Sequence, residues 1–165
     1  MVDVITHKVF PTIITEFVFD MDENERDTVI KELSCIEKNK NQSIIQTKDD
    51  LDKRIPKFKK QIHDIANKIL RETYKYEYDK IDITGMWANQ LSTGETHPPH
   101  THSNNILSGV YYLHDPGDGT TGGTEFHDPR TAPAHGTRMQ EVLPIENTWI
   151  IFPGWLGHKS VQLPL

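Results

Sequence analysis

The chain has 165 residues, a quarter of them charged, a formal net charge of −6 and a single cysteine, Cys35. The length suits one domain, the acidic balance argues against a nucleic-acid backbone as partner, and one cysteine excludes an internal disulfide framework or a zinc ribbon. No run approaches the ~20 apolar residues of a membrane span, and the opening MVDVITHKVF lacks a basic start followed by an apolar core, so no secretion signal is expected. A cytoplasmic protein with no membrane partner is the expectation; its oligomeric state is not specified.

In chain order, Val9 to Phe19 is β-branched and aromatic and predicts one strand or two short ones. Asp22 to Lys38 predicts a helix, with Asp22 as cap, acidic residues in the first turn, and Val29, Leu33 and Ile36 at helical spacing. Gln46 to Ile55 is ambiguous. Ile55 to Tyr74 predicts the clearest helix, with Pro56 in the first turn and an apolar stripe of Ile62, Ile65, Ala66, Ile69 and Leu70.

Composition changes at Thr84. All ten glycines and seven of the nine histidines follow it. Period-two patterning from Ile81 to Leu91 opens a β-rich half. Short strands are predicted over Ile106–Leu113, Gly123–His127, Met139–Leu143, Thr148–Phe152 and His158–Leu163. This predicts a single domain, 1–165: a strand plus helical flank over 1–80, and a sandwich or barrel over 81–165.

The chemistry concentrates in GETHPPHTHSNN. On a strand, His100 and His102, at i and i+2, share a face. His158, after the turn FPGWLG, can close a triangle from a neighbouring strand. Three imidazoles on one face suit iron, zinc, copper or nickel and leave coordination positions open. Trp87, Trp149 and Trp155 are read as core or barrel-mouth aromatics. Cys35 is read as a small core residue, His114, His127 and His135 as loop residues, and Gly122-Gly123 as a hairpin turn.

TGETHPPHTHSNNILSGVYYLHDP, GGTEFHDPR and ENTWIIFPGWLGHKSVQL together resemble the iron(II)/2-oxoglutarate-dependent oxygenases. Within them the chain is most similar to a small prolyl-hydroxylase-related family that marine phages and bacteria carry. The resemblance spans roughly Trp87 to Leu163. It implies a double-stranded β-helix (jelly roll, cupin-like) with flanking helices. It also implies Fe(II), 2-oxoglutarate as co-substrate, O₂, and a small-molecule or peptide substrate that is hydroxylated. Carried over by position, His100 and His158 are iron ligands, and His102 stands where the superfamily usually has a carboxylate; Glu125 and Asp128 are the alternatives. Tyr112 is the implied co-substrate partner, with Asn89 a second candidate.

The resemblance also implies a basic residue that grips the far carboxylate of 2-oxoglutarate. Beyond His158 only Lys159 is basic, so the candidates are Arg130, Arg138 and Lys159. Strand alternation aims Lys159 away from the His158 face. A missing C-terminal closing strand, and with it weak 2-oxoglutarate binding, is the expectation. A cupin-like module that binds metal or a small ligand without 2-oxoglutarate chemistry is the alternative reading.

Overall fold

The computed structural model describes residues 11–37, 44–92, 94–114, 122–130 and 139–161. Arg138 and His135 lie outside these residues. So do the ends of the predicted strand at Val9, the helix at Lys38 and the last strand at Leu163.

Strand β1 (Thr15–Val18) leads into helix α1 (Glu23–Ser34), and Ile45–Gln46 forms β2. A short 3₁₀ turn, Leu51–Lys53, precedes helix α2 (Pro56–Lys68), which ends in a wider π turn over Ile69–Thr73. Then come β3 (Asn89–Gln90), β4 (Leu107–Tyr111), β5 (Thr124–His127), β6 (Met139–Val142), β7 (Thr148–Pro153) and β8 (His158–Ser160). The period-two stretch 81–91 contributes only β3 to a ladder, paired with β2. The ambiguous segment resolves into β2 and the 3₁₀ turn.

Two three-stranded antiparallel sheets, ordered β1-β7-β4 and β6-β5-β8, form the β framework. β7, TWIIFP, is buried at every position. Its alternate side chains serve two cores. Ile150 and Phe152 pack with Phe126, Tyr112 and Leu156 between the sheets. Trp149 and Ile151 face the other way, onto Ile62, Ile65, Ala66 and Ile69 of α2 and its π turn. A strand buried on both faces has no polar alternation, which explains the unbroken apolar run. The apolar stripe of α2 thus covers the outer face of the β1-β7-β4 sheet, as its spacing requires.

Glu25 on α1 joins the helices. Its buried carboxylate accepts the N–H groups of Lys57 (2.7 Å) and Phe58 (2.8 Å), free donors in the first turn of α2. Asp22 stands at the cap position of α1, but its side chain bonds Lys57 Nζ and no N–H of its own helix. Cys35 is exposed, contrary to its reading as a core residue: it follows the last turn of α1, past the residues that meet the core. His127 lies on β5, not in a loop. No helix is long and apolar enough to cross a membrane among the described residues.

Candidate metal centre

The histidine-rich segment is held to β8 and to the preceding turn by backbone bonds. His100 N–H donates to His158 O (3.0 Å) and His158 N–H to His100 O (3.1 Å). Residues opposed in an antiparallel pair project to the same side, so the two imidazoles face one another. Two residues on, His102 N–H donates to Gly154 O (2.8 Å). The start of the segment is pinned through Ser160, whose Oγ accepts His97 N–H (2.5 Å) and whose carbonyl accepts the Thr96 hydroxyl (2.6 Å). Gly154 makes the approach possible: a Cβ there would stand 2.3 Å from Asn105 O and 2.8 Å from His102 O.

The result is a cluster of three rings. Ring centroids are 4.3 Å apart for His100–His158, 5.0 Å for His100–His102 and 5.2 Å for His102–His158. One ring nitrogen from each lies within 4.8 Å of the other two. The Nδ1 atoms of His100 and His158 lie 2.8 Å from Pro98 O and 2.9 Å from Leu156 O. A carbonyl can only accept, so those Nδ1 atoms carry the proton and both Nε2 lone pairs are left for a ligand. This is the outer arrangement of metal-binding histidines. Burial pushes the His158 pKa down to about 4 and also lowers His102. Both are therefore neutral at pH 7, the form that ligates a cation. Phe126 and Phe152 pack around His158, which is 4% exposed.

The carboxylates considered as alternatives are turned elsewhere. Among the described residues none joins the cluster. Glu125 sits opposite Lys159 in the β5–β8 ladder, on the face away from Phe126 and His158, and its Oε1 meets Lys159 Nζ at 3.1 Å and His127 Nε2 at 3.2 Å. Lys159 therefore points away from the triad, as strand alternation predicts. Asp128 takes the guanidinium of Arg130 in a two-pronged contact of 2.8 and 2.7 Å. The Arg130 fork is thus engaged at a surface turn, where its side chain is 72% exposed.

A cavity of about 1080 Å³ opens beside the cluster, lined by His97, His100, His102 and His158 and by both implied co-substrate residues. Tyr112 is buried, with its hydroxyl 2.8 Å from Thr124 Oγ1 and its pKa raised by burial to about 12, so it stays a neutral donor. Thr124 was missed in the sequence; its place two residues before Phe126 on the inward face of β5 is the signal that finds it. Asn89 is exposed on β3 and lines the same cavity. Of the tryptophans, Trp149 is core. Trp87 is 38% exposed with its ring 5.9 Å from that of His102, and Trp155 is exposed in the turn before β8. Three cations line the cavity among the described residues. Arg26 is paired with Glu146, Lys80 with Asp82, and Lys159 with Glu125.

A family model described as "Putative 2OG-Fe(II) oxygenase" matches residues 85–163, the segment that carries all three histidines. The β-rich half of the chain is thus similar to that family. The similarity implies Fe(II) and 2-oxoglutarate, and the donor set fits the metal: three imidazoles, two with their outer nitrogens already bonded, converge on one point. No curated protein sequence matches the chain. Among solved structures, a Pseudomonas putida prolyl-4-hydroxylase is similar in fold, with a TM-score of 0.60 over 93% of this chain and 88% of that one at 11% identity. The fold is accordingly the double-stranded β-helix, with the helices packed outside.

Proposed function

We propose that the protein is an Fe(II)/2-oxoglutarate-dependent hydroxylase in which His100, His102 and His158 hold the metal. The convergence of those three rings carries this reading. Bound Fe(II) supplies the activation of O₂ that couples 2-oxoglutarate decarboxylation to insertion of oxygen into a substrate C–H bond. The chain's own residues do the rest. The carbonyls of Pro98 and Leu156 fix the ring tautomers. Phe126 and Phe152 keep water from the His158 side. The Tyr112–Thr124 hydroxyl pair offers a donor for a co-substrate carboxylate inside the barrel. The substrate is a peptide residue or a small molecule that the cavity admits.

The three cations lining the cavity are already paired with carboxylates, so the far carboxylate of 2-oxoglutarate meets none that is unengaged among the described residues. A buried carboxylate left unpaired costs several kcal/mol, against about 8 kcal/mol for micromolar binding. The test therefore uses millimolar 2-oxoglutarate. The Fe(II)-loaded chain should form succinate under O₂, and His100→Ala should not. Tight metal binding with no succinate at any 2-oxoglutarate concentration would leave a cupin-like metal-binding module instead.

A further inference from the structure

The three histidines of the cluster are not held alike. The Nδ1 atoms of His100 and His158 donate to the carbonyls of Pro98 (2.8 Å) and Leu156 (2.9 Å), so each of these rings is fixed from behind in tautomer and in orientation. His102 has no counterpart. Neither of its ring nitrogens meets a hydrogen-bond partner among the described residues. Its main chain is held: the N–H donates to Gly154 O (2.8 Å) and the carbonyl accepts Asn105 N–H (3.0 Å). Its side-chain torsions alone are left to decide whether the third ring meets the other two.

Among the described residues, one ring from outside the cluster lies against His102. The centroid of Trp87 is 5.9 Å from that of His102, with the planes tilted by 51°, a spacing at which aromatic rings attract one another. Local backbone structure brings the indole there. Leu51 N–H donates to Met86 O (3.0 Å) and Met86 N–H to Asp49 O (3.3 Å), while Thr47 N–H donates to Ala88 O (3.0 Å) and Ala88 N–H to Thr47 Oγ1 (3.0 Å). Met86 and Ala88 turn their side chains onto the helical core of Val29, Leu51 and Phe58. Trp87, between them, projects to the other side. Its six-membered ring passes over Gly85, where a Cβ would stand 3.5 Å from Trp87 Cζ3. The indole is thus lodged between the backbone of Gly85 and the imidazole of His102. It is 38% exposed and belongs to none of the buried clusters, so core packing does not account for its place.

We propose that Trp87 is the positioning residue of His102: its indole does for the third ring, by packing, what two carbonyls do for the first two by hydrogen bonding. This rests on the reading of His102 as a metal ligand. Packing restricts the rotamer without choosing which nitrogen carries the proton. His102 is therefore the one arm of the triad that can swing, and Trp87 sets how much of the time it is in place. Trp87 itself touches no metal position and donates nothing to one.

The probe is Co(II) with the full chain. Calorimetric titration reads affinity, and proton NMR of the loaded protein reads the ligands one by one, since a paramagnetic metal shifts the ring protons of each bound imidazole. Trp87→Ala should lower Co(II) affinity about tenfold, the lower end of the range for losing an outer partner. It should broaden or remove the shifted His102 signals and leave those of His100 and His158. Trp87→Phe keeps an aromatic face and should stay within about threefold of the parent chain, while Trp87→Leu fills space without one and should resemble Trp87→Ala. In the His102→Ala background Trp87→Ala should cost nothing further, because its effect passes through that ring. Urea melts report folding; if Trp87→Ala does not fold, the contrast between Trp87→Phe and Trp87→Leu decides. Parent affinity with unchanged ring signals in Trp87→Ala would overturn the proposal alone. So would an equal loss in the His102→Ala background, which marks a merely structural effect. Parent affinity in His102→Ala would instead remove His102 as a ligand, and the proposal with it.

Discussion

The histidine cluster and the carboxylates of β5 and the turn after it lie on neighbouring segments of one barrel and share the chemistry of metal ligands, yet only one set converges. His100, His102 and His158 project from backbone pairs that face the inter-sheet core, where Phe126 and Phe152 exclude water. Glu125 is one residue from Phe126 and therefore on the opposite face, where it pairs with Lys159 and lies 3.2 Å from His127 Nε2. Asp128 closes a surface turn with Arg130. A single step in strand phase separates a group that loses hydration and gains ligand character from one that stays in an ion-pair network. Residue type alone does not identify a metal site; the face does.

The largest effect expected from this contrast is on the metal. Replacing an outer partner of a metal-bound histidine typically weakens affinity 10–100-fold, so removing a ligand outright, as in His158→Ala or His102→Ala, should lower Fe(II) or Co(II) affinity by more than ~100-fold in calorimetric titration. Unchanged affinity in His102→Ala, with loss in Glu125→Gln, would reverse the comparison.

Next is Gly154→Ala. Its Cβ would fall on the carbonyls of Asn105 and His102, so the histidine segment must move away from the turn. Overpacking of this kind costs about 1–3 kcal/mol. Urea melts should show that loss, together with weaker metal binding. A wild-type midpoint would mean that the segment is not held there.

Acid sharpens the contrast further. His158 is depressed to about 4 by burial, and His102 is shifted the same way. Between the ordinary value of ~6.5 and that folded value, the unfolded chain binds the proton and the native chain does not. Native stability should therefore fall as pH drops through this window, with a slope of up to ~1.4 kcal/mol per pH unit for His158. The apo protein should retain a metal-competent, neutral His158 down to roughly pH 5. Urea melts of the apo protein at pH 7, 6 and 5 check the sign: stability must fall with acid, and a rise would contradict the burial of the ring.

The smallest effect belongs to the other region. Glu125→Gln and Asp128→Asn each break partly exposed ion pairs worth about 0–1 kcal/mol. Metal affinity should stay within about twofold of the parent chain, and melting should barely move.

Much of this was legible from residues 85–163. Period-two alternation and glycine punctuation report local backbone geometry, so β4, β5, β6 and β8 fall within the predicted stretches, β7 runs one residue past its own, and His100, His102 and His158 meet as the i, i+2 spacing and the downstream turn suggest. Local pattern also placed the stripe of α2, because burial on one face imposes a 3.6-residue period. What periodicity did not report was where elements end and which groups pair. Cys35 has an apolar neighbourhood in sequence, but α1 ends before that side meets the core. Arg130 has the right chemistry for a carboxylate clamp, and the structure shows its fork held by Asp128, two residues away. Glu25 reads as one more acidic residue in a first turn, and only the packing of α1 against α2 turns its carboxylate into the cap of the other helix. Periodicity is a property of the chain's own bonds and can be read along it. Which face meets which and which charge is already satisfied are set by how the segments pack, and the folded structure alone decided them.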